Sequence, residues 1–251
     1  MTGPLVPPAV APWPIVVYFH HVATSALPHY TSISREAFAR SLELVSKHLT
    51  IVDPECLEAE SPPRSDRTPV VLTFDDGYRE TLEAVVPLLD EYRARAAFFV
   101  ATEEVGTSAR HPSLGVALPR ASWEDLRTIS AAGHVVASHG TSHRSLASTS
   151  KAAVAAIVRD STARLTRELG CASRCLAFPF GCAPTAPVIG VRGFGTVAAP
   201  PAGWDCKPHH IRRVYLAADG SAGAWSRAIR SWVEQWKGAT CDQCGHPHTQ
   251  P

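Results

Sequence analysis

Short apolar runs alternate with helix-like amphipathic segments along most of this chain, and that alternation limits the folds open to it. Runs this short have the length of buried strands, whereas apolar positions spaced three and four residues apart mark one face of a helix. Such an alternation predicts a βα fold. The apolar runs are Ile15–Phe19, Val70–Phe74, Ala96–Val100, Val135–Ser138, Leu176–Phe180, Phe194–Ala198 and Ile211–Leu216. We predict one α/β domain at 15–237, between a flexible segment at 1–14 and a polar tail at 238–251.

Ser34 and Ser122 stand where helix N-caps are expected, because a serine hydroxyl accepts a hydrogen bond from the first turn. Another helix is expected to begin at Ser150. The helix after Ser150 is expected to end at Gly170. Pro87 interrupts the apolar stripe from Leu82 to Leu89, so we predict that it kinks or splits that helix. A loop is expected at 102–120 and an amphipathic final helix at 225–236.

Composition argues against several kinds of partner. The chain has 251 residues, 24 of them basic and 23 acidic, and no basic stripe of the kind that binds nucleic acid. No apolar stretch is long enough to span a membrane, and no secretory signal is recognisable, which favours a cytoplasmic protein. The seven cysteines are irregularly spaced and predict no disulfide framework. Cys241, Cys244, His246 and His248 resemble half of a zinc knuckle, for which a solvated tail is the preferred interpretation.

Two polar motifs follow apolar runs and carry the strongest chemical signal. Residues 73–77 read Thr-Phe-Asp-Asp-Gly, and residues 138–143 read Ser-His-Gly-Thr-Ser-His. One carboxylate and two imidazoles suit zinc and similar ions, and they leave positions open for water and substrate. Side chains alternate along a strand, so only one of Asp75 and Asp76 can easily bind the ion, and the other is free to act as general base. An ordinary Asp-Gly turn beside polar loop histidines is the alternative, but the joint occurrence of both motifs favours metal-assisted hydrolysis.

These motifs resemble those of the polysaccharide deacetylase family, which is carbohydrate esterase family 4 with its NodB-homology domain. The resemblance runs from about Ile15 to Tyr215. The segments Tyr18–Val22 and Tyr30–Ser34 are similar to the branch that deacetylates poly-N-acetylglucosamine, and Trp123–His139 is similar to the helix and strand before the family's histidine motif. The resemblance implies a distorted (β/α) barrel with its site at the C-terminal ends of the strands.

The resemblance also implies roles for individual residues. It assigns three ligands to one divalent metal ion: Asp76, His139 and His143. Zinc is the first choice for that ion, with Co²⁺, Ni²⁺ and Mn²⁺ as alternatives. Asp75 would be the base that activates water on the metal. Residues 177–181 match the family's third motif, in which Phe180, between Pro179 and Gly181, lines the groove and offers a backbone N–H to the oxyanion.

The chain departs from the family pattern at three places. Ala177 stands where an arginine often orients the base, and Arg212–Arg213 are expected to supply that charge, with surface ion pairing as the alternative. Trp204–Asp205 is a weak match to the fourth motif. The late Leu-x-His motif of the general acid is absent, and His20 or His21 is expected to replace it, with a structural role as the alternative.

The sequence therefore predicts a metal-dependent hydrolase that removes an N-acetyl group from an amino sugar or a sugar-bearing intermediate. Carbohydrates or glycosylated small molecules are the expected partners. One alternative is a non-catalytic carbohydrate-binding relative, which the missing arginine and the missing late histidine favour. The other is a hydrolase of a different amide or ester, such as an N-formyl group.

Overall fold

Parallel strands close around a common axis in the computed structural model of this protein. The structure describes residues 13–61, 63–110, 116–170, 173–196, 210–215, 221–227 and 230. The strands are β1 (Ile15–Phe19), β2 (His21–Ala23), β3 (Ser32–Ser34), β4 (Thr50–Ile51), β5 (Pro69–Phe74), β6 (Ala97–Val100), β7 (Ser108–Arg110), β8 (Ala117–Pro119), β9 (Val135–Ser138), β10 (Cys175–Ala177), β11 (Arg192–Gly195), β12 (Ile211–Arg212) and β13 (Val214–Tyr215).

The main sheet has the order β12-β11-β10-β9-β6-β5-β1-β13, with β4 beside β5, and its neighbours pair in parallel. The two ends of this order are adjacent in the chain, because only Arg213 separates β12 from β13. β12 pairs with β11 and β13 pairs with β1, so residues 211–215 join the two edges of the sheet. The result is a nearly closed parallel barrel, which confirms the predicted (β/α) barrel.

The helices described over their full length are α1 (Arg35–His48), α2 (Arg79–Glu91), α3 (Trp123–Ala131) and α4 (Lys151–Leu169). The predicted N-caps Ser34 and Ser122 are confirmed, since each side chain accepts a hydrogen bond from a first-turn N–H, and Ser150 caps α4 in the same way. Ser122 forms a reciprocal capping box with Asp125. Gly170 ends α4 in the left-handed conformation, with a φ of 76°.

The structure differs from local predictions at three places. Pro87 does not split α2, which continues to Glu91 without a break. Proline has no N–H to donate to the Glu83 carbonyl one turn earlier. Both residues face solvent, so water can satisfy that carbonyl. The strand expected at 176–180 ends at Ala177. The loop expected at 102–120 contains the antiparallel pair β7–β8.

Other predictions fall on residues outside the description. These include most of the terminal segments 1–14 and 238–251, Trp204–Asp205, and the end of the final helix, of which residues 222–227 are helical. Among the helices that the structure describes, none has the length and apolarity needed to cross a bilayer.

Side-chain alternation separates the outer core from the barrel interior. Phe19, Phe74 and Phe98 are paired across β1, β5 and β6, stack in one row, and are almost completely buried. Phe38 of α1 packs edge-on against this row, so these rings fill the layer between strands and helix. Burial of each ring contributes about 1.5–3 kcal/mol. Thr73 and Asp75, on either side of Phe74, therefore point into the barrel.

Candidate active site

The two sequence motifs meet at the carboxyl ends of neighbouring strands. Asp75 and Asp76 follow β5, and His139 follows β9, with β6 between these strands. They line a cavity of about 420 Å³ that opens to solvent, and Tyr30 and Phe180 stand at its rim, 70% and 58% exposed. Chemistry at this end of a parallel barrel is the usual arrangement.

Three side chains point their donor atoms at one position. The Oδ1 atom of Asp76 lies 3.0 Å from Nε2 of His143 and 3.6 Å from Nε2 of His139. All three donor atoms lie within 4.8 Å of one another. Ligands bound to a single zinc ion at about 2.0–2.2 Å are separated by roughly 3–4 Å, so this spacing fits one ion.

The hydrogen bonds around these atoms also fit a metal ion. His139 binds the Ala177 carbonyl oxygen through Nδ1, at 2.8 Å, which places the proton on Nδ1 and leaves the Nε2 lone pair free. Burial lowers the pKa of His139 to about 4, so its ring is neutral, as a ligand must be. Oδ1 of Asp76 is buried and makes no hydrogen bond of good geometry in the described structure, although two imidazoles face it.

The second aspartate has a different environment. The Arg213 guanidinium donates to both carboxylate oxygens of Asp75, at 2.6 Å each, and both side chains are almost fully buried. Arg213 also donates to the Thr73 hydroxyl, at 3.1 Å. Burial alone would raise the pKa of Asp75, but the charge and hydrogen bonds of Arg213, together with the neighbouring imidazoles, outweigh burial and the pKa is lowered. Asp75 is therefore an ionised, oriented carboxylate with lone pairs left over for a further hydrogen bond.

The third motif forms a short turn beside the metal ligands. Pro179–Gly181 is a 3₁₀ turn, and the Phe180 ring lies 4.9 Å from the ring of His143. Gly181 has a φ of 70°, and a side chain there would collide with Thr196. Asp76, His143 and Phe180 adopt positive φ values of 70°, 47° and 60°. Strained backbone of this kind gathers at functional sites.

The two histidines proposed as general acids occupy different environments. His20 lines the same cavity as Asp75 and Asp76. His21 is buried outside the cavity lining, with Nδ1 2.9 Å from the Ser32 hydroxyl and Nε2 3.3 Å from Glu80. The geometry therefore favours His20.

Sequence reasoning missed a buried arginine on the other side of Asp76. Arg120 lines the cavity, donates to the main-chain oxygen of Asp76 at 2.9 Å, and pairs with Glu104 at 3.0 Å. Its guanidinium lies 4.0 Å from the ring centre of Tyr78. Nothing in its local sequence marks Arg120, since it stands alone before the Ser122 cap. A buried arginine becomes visible only when the fold is known.

Residues 63–195 match the polysaccharide deacetylase family, a span of more than half of the 251 residues, and this protein belongs to that family. No match was found among curated proteins.

Several solved structures share the fold. The Streptococcus pyogenes deacetylase PplD in complex with acetate has a TM-score of 0.69 and 16% identity, over 86% of this chain and 97% of that chain. IcaB from Ammonifex degensii has a TM-score of 0.68 and 22% identity, over 86% and 96%. The de-N-acetylase from Aggregatibacter actinomycetemcomitans has a TM-score of 0.62 and 18% identity, over 79% and 93%.

Proposed function

We propose that this protein is a metal-dependent deacetylase that removes an N-acetyl group from an amino sugar or a sugar-bearing intermediate. One observation carries the proposal: the donor atoms of Asp76, His139 and His143 converge beside a carboxylate, Asp75, that an arginine holds in place. The family and the resemblance to deacetylase structures support the same reaction.

The proposed cofactor is one divalent ion, with zinc as the first choice and Co²⁺, Ni²⁺ or Mn²⁺ as alternatives. Asp76, His139 and His143 would hold it. Such an ion lowers the pKa of water and polarises a carbonyl oxygen. Three protein ligands leave further coordination positions open, which distinguishes a catalytic site from a closed structural one.

The reaction needs a base, a group that stabilises negative charge, and an acid. Asp75 would take the proton of the attacking water, and Arg213 would keep its carboxylate ionised and oriented. The Phe180 N–H would donate to the oxyanion, at the turn that Pro179 and Gly181 shape.

His20 would give a proton to the leaving amine, which would otherwise leave more slowly than water. It lines the cavity near both aspartates. We expect His20→Ala to lower kcat more than it raises KM. Wild-type rates in this variant would assign the proton transfer to another group.

The cavity also suits a sugar substrate. Its volume of about 420 Å³ lies in the range of small-molecule pockets. Exposed aromatic rings at the rim, those of Tyr30 and Phe180, offer flat apolar faces to a pyranose ring.

Acetate release tests the reaction. Purified protein would be incubated with chitooligosaccharides and N-acetylglucosamine conjugates, with and without a chelator, and free acetate measured. We expect release that the chelator abolishes and that added zinc restores. An ion-loaded protein that binds these sugars and releases no acetate would contradict the proposal and would favour the non-catalytic carbohydrate-binding alternative.

Two variants separate the ion from the base. His139→Ala should lose the bound ion, whereas Asp75→Asn should keep it and lose turnover by a factor of about 10² to 10⁴. His134→Asn is a matched control, because His134 is also buried but is not part of the cavity lining. Metal content would be measured on each purified protein. Full occupancy in His139→Ala would refute the ligand assignment.

A further inference from the structure

Arg120 is buried at the edge of the cavity and has three partners on two segments. Only 6% of the residue is exposed. One guanidinium nitrogen donates to the Asp76 carbonyl oxygen at 2.9 Å, and another lies 3.0 Å from the Glu104 carboxylate. The guanidinium plane also covers the Tyr78 ring at 4.0 Å. An arginine fixed this firmly is a rigid part of the site wall.

The bond to Asp76 acts on a strained turn. Asp76 and Gly77 have φ values of 70° and 63°, so two successive residues are left-handed. Outside glycine, this conformation costs about 1–3 kcal/mol and persists only where surrounding contacts impose it. The Arg120 side chain holds the Asp76 carbonyl, and the Ala121 N–H holds the Gly77 carbonyl at 2.9 Å. Residues 120 and 121 therefore fix the two peptide planes that carry the Asp76 and Gly77 carbonyls.

Arg120 does this without occupying the metal-facing oxygen of Asp76. Its hydrogen bond goes to the main chain, so Oδ1 stays open towards His139 and His143. Glu104 compensates the buried positive charge of Arg120, because its carboxylate lies 3.0 Å from the guanidinium. The Glu104 side chain is itself 23% exposed. The opposite arrangement, an arginine on the carboxylate itself, would compete with an ion for the same lone pairs.

We propose that Arg120 is a positioning residue for the metal centre: it holds Asp76 in the ion-binding conformation through the main-chain carbonyl. This inference rests on the proposed function, because it assumes that Asp76 binds the ion. Groups that orient metal ligands typically contribute a factor of about 10 to 100 in affinity. Arg120 is expected to act on ion affinity first and on turnover only through it.

The test measures ion affinity directly. Zinc would be titrated by calorimetry into the chelator-treated full chain, as wild type and as the double variant Arg120→Met with Glu104→Gln. The second substitution avoids leaving an unpaired carboxylate. We expect the Kd of the double variant to rise about 10-fold or more. Arg120→Lys should recover part of that loss, because an ammonium group can still donate to the carbonyl.

Arg127→Met is the matched control. Arg127 also bridges two acidic residues, Glu124 and Glu168, but it is half-exposed and is absent from the cavity lining. Its substitution should leave zinc affinity unchanged. If the double variant does not fold, Glu104→Gln alone is the second test, and we expect it to weaken binding several-fold.

The outcomes distinguish the two proposals. Wild-type protein that binds no divalent ion would overturn the metal centre of the proposed function, and this inference with it. Wild-type protein that binds zinc, together with folded Arg120 and Glu104 variants of equal affinity, would overturn this inference alone. In that case Arg120 would have a structural role only.

Discussion

Two neighbouring aspartates are each held by a buried arginine, but the two arginines hold different atoms. In the Arg213 corner, formed by Arg213 and Asp75, a guanidinium takes both carboxylate oxygens. In the Arg120 corner, formed by Arg120, Glu104 and Asp76, the guanidinium takes the main-chain carbonyl and is neutralised by a separate acid. The carboxylate of Asp76 is thereby left open to the imidazoles.

The difference fits the two tasks that we propose for this dipeptide. A carboxylate in a bidentate pair is ionised and fixed in orientation, which suits a general base. A carboxylate oxygen that makes no hydrogen bond can coordinate a cation, which suits an ion site. The sequence Asp-Asp is symmetric, and the partners supplied by distant segments make its two residues unequal.

Breaking the Arg213 corner should have the largest effect on stability. Arg213→Met would leave the Asp75 charge buried without a partner, and removal of one member of a buried pair costs about 3–5 kcal/mol. Urea unfolding at neutral pH would measure the loss. The double variant with Asp75→Leu should recover most of it, because it removes the unpaired charge. A loss below about 1 kcal/mol in Arg213→Met would mean that water reaches Asp75 and screens it.

The Arg120 corner can be broken at the turn that it holds. Gly77→Ala would put a side chain at a φ of 63°, with its Cβ 2.8 Å from a Val100 methyl carbon. We expect a loss of about 1–3 kcal/mol in the free energy of unfolding, together with weaker zinc binding. Adding Val100→Ala should relieve the steric part and leave the backbone strain. Unchanged zinc affinity in a folded Gly77→Ala variant would show that the ion site tolerates movement of the turn.

His134, which lies outside both corners, also makes the free energy of unfolding depend on pH, and removing that dependence sharpens the comparison. Burial lowers the pKa of His134 below its ordinary value of 6.5, and Arg95 adds to this against the opposing charges of Asp90 and Asp53. Its Nδ1 accepts a hydrogen bond from the Ala96 N–H. A proton therefore binds the unfolded chain more readily than the folded one, so stability is full above pH 6.5 and falls as the pH drops below it.

His134→Asn should remove this part of the acid sensitivity, since asparagine can accept the same hydrogen bond without titrating. Unfolding free energies at pH 7 and pH 5 would be compared in wild type and variant. We expect a smaller difference between the two pH values in the variant. Equal differences would assign the acid sensitivity to other groups.

Local patterns predicted much of the fold. The helix caps at Ser34 and Ser122 were found because a cap is a short-range interaction between a hydroxyl and nearby N–H groups. The expected split at Pro87 did not occur, because the effect of a proline on a helix depends on which face of the helix it occupies. The strand that stops at Ala177 also escaped prediction, since Phe180 adopts a φ of 60° that only its surroundings explain.

The site was predictable only in part. The motifs predicted that one of the two adjacent aspartates would meet His139 and His143, because both motifs follow strands whose carboxyl ends share one edge. The family resemblance then singled out Asp76. Arg213 was proposed from resemblance, and no local signal links it to Asp75. Arg120 and Glu104 went unrecognised, since isolated charges in a loop look like surface residues until the fold buries them.

The closing segment 211–215 has a consequence for the order of events during synthesis. All three proposed ion ligands lie in the first 143 residues, whereas the cation beside Asp75 follows it by 138 positions. Contacts between residues so distant in the chain form late, because a long loop must first be closed. Residues 211–215 therefore join the two edges of the sheet and bring Arg213 to Asp75, the proposed base, in a single step. A nascent chain would have its proposed ion ligands long before that carboxylate is paired, and ion binding alone would not report a finished fold.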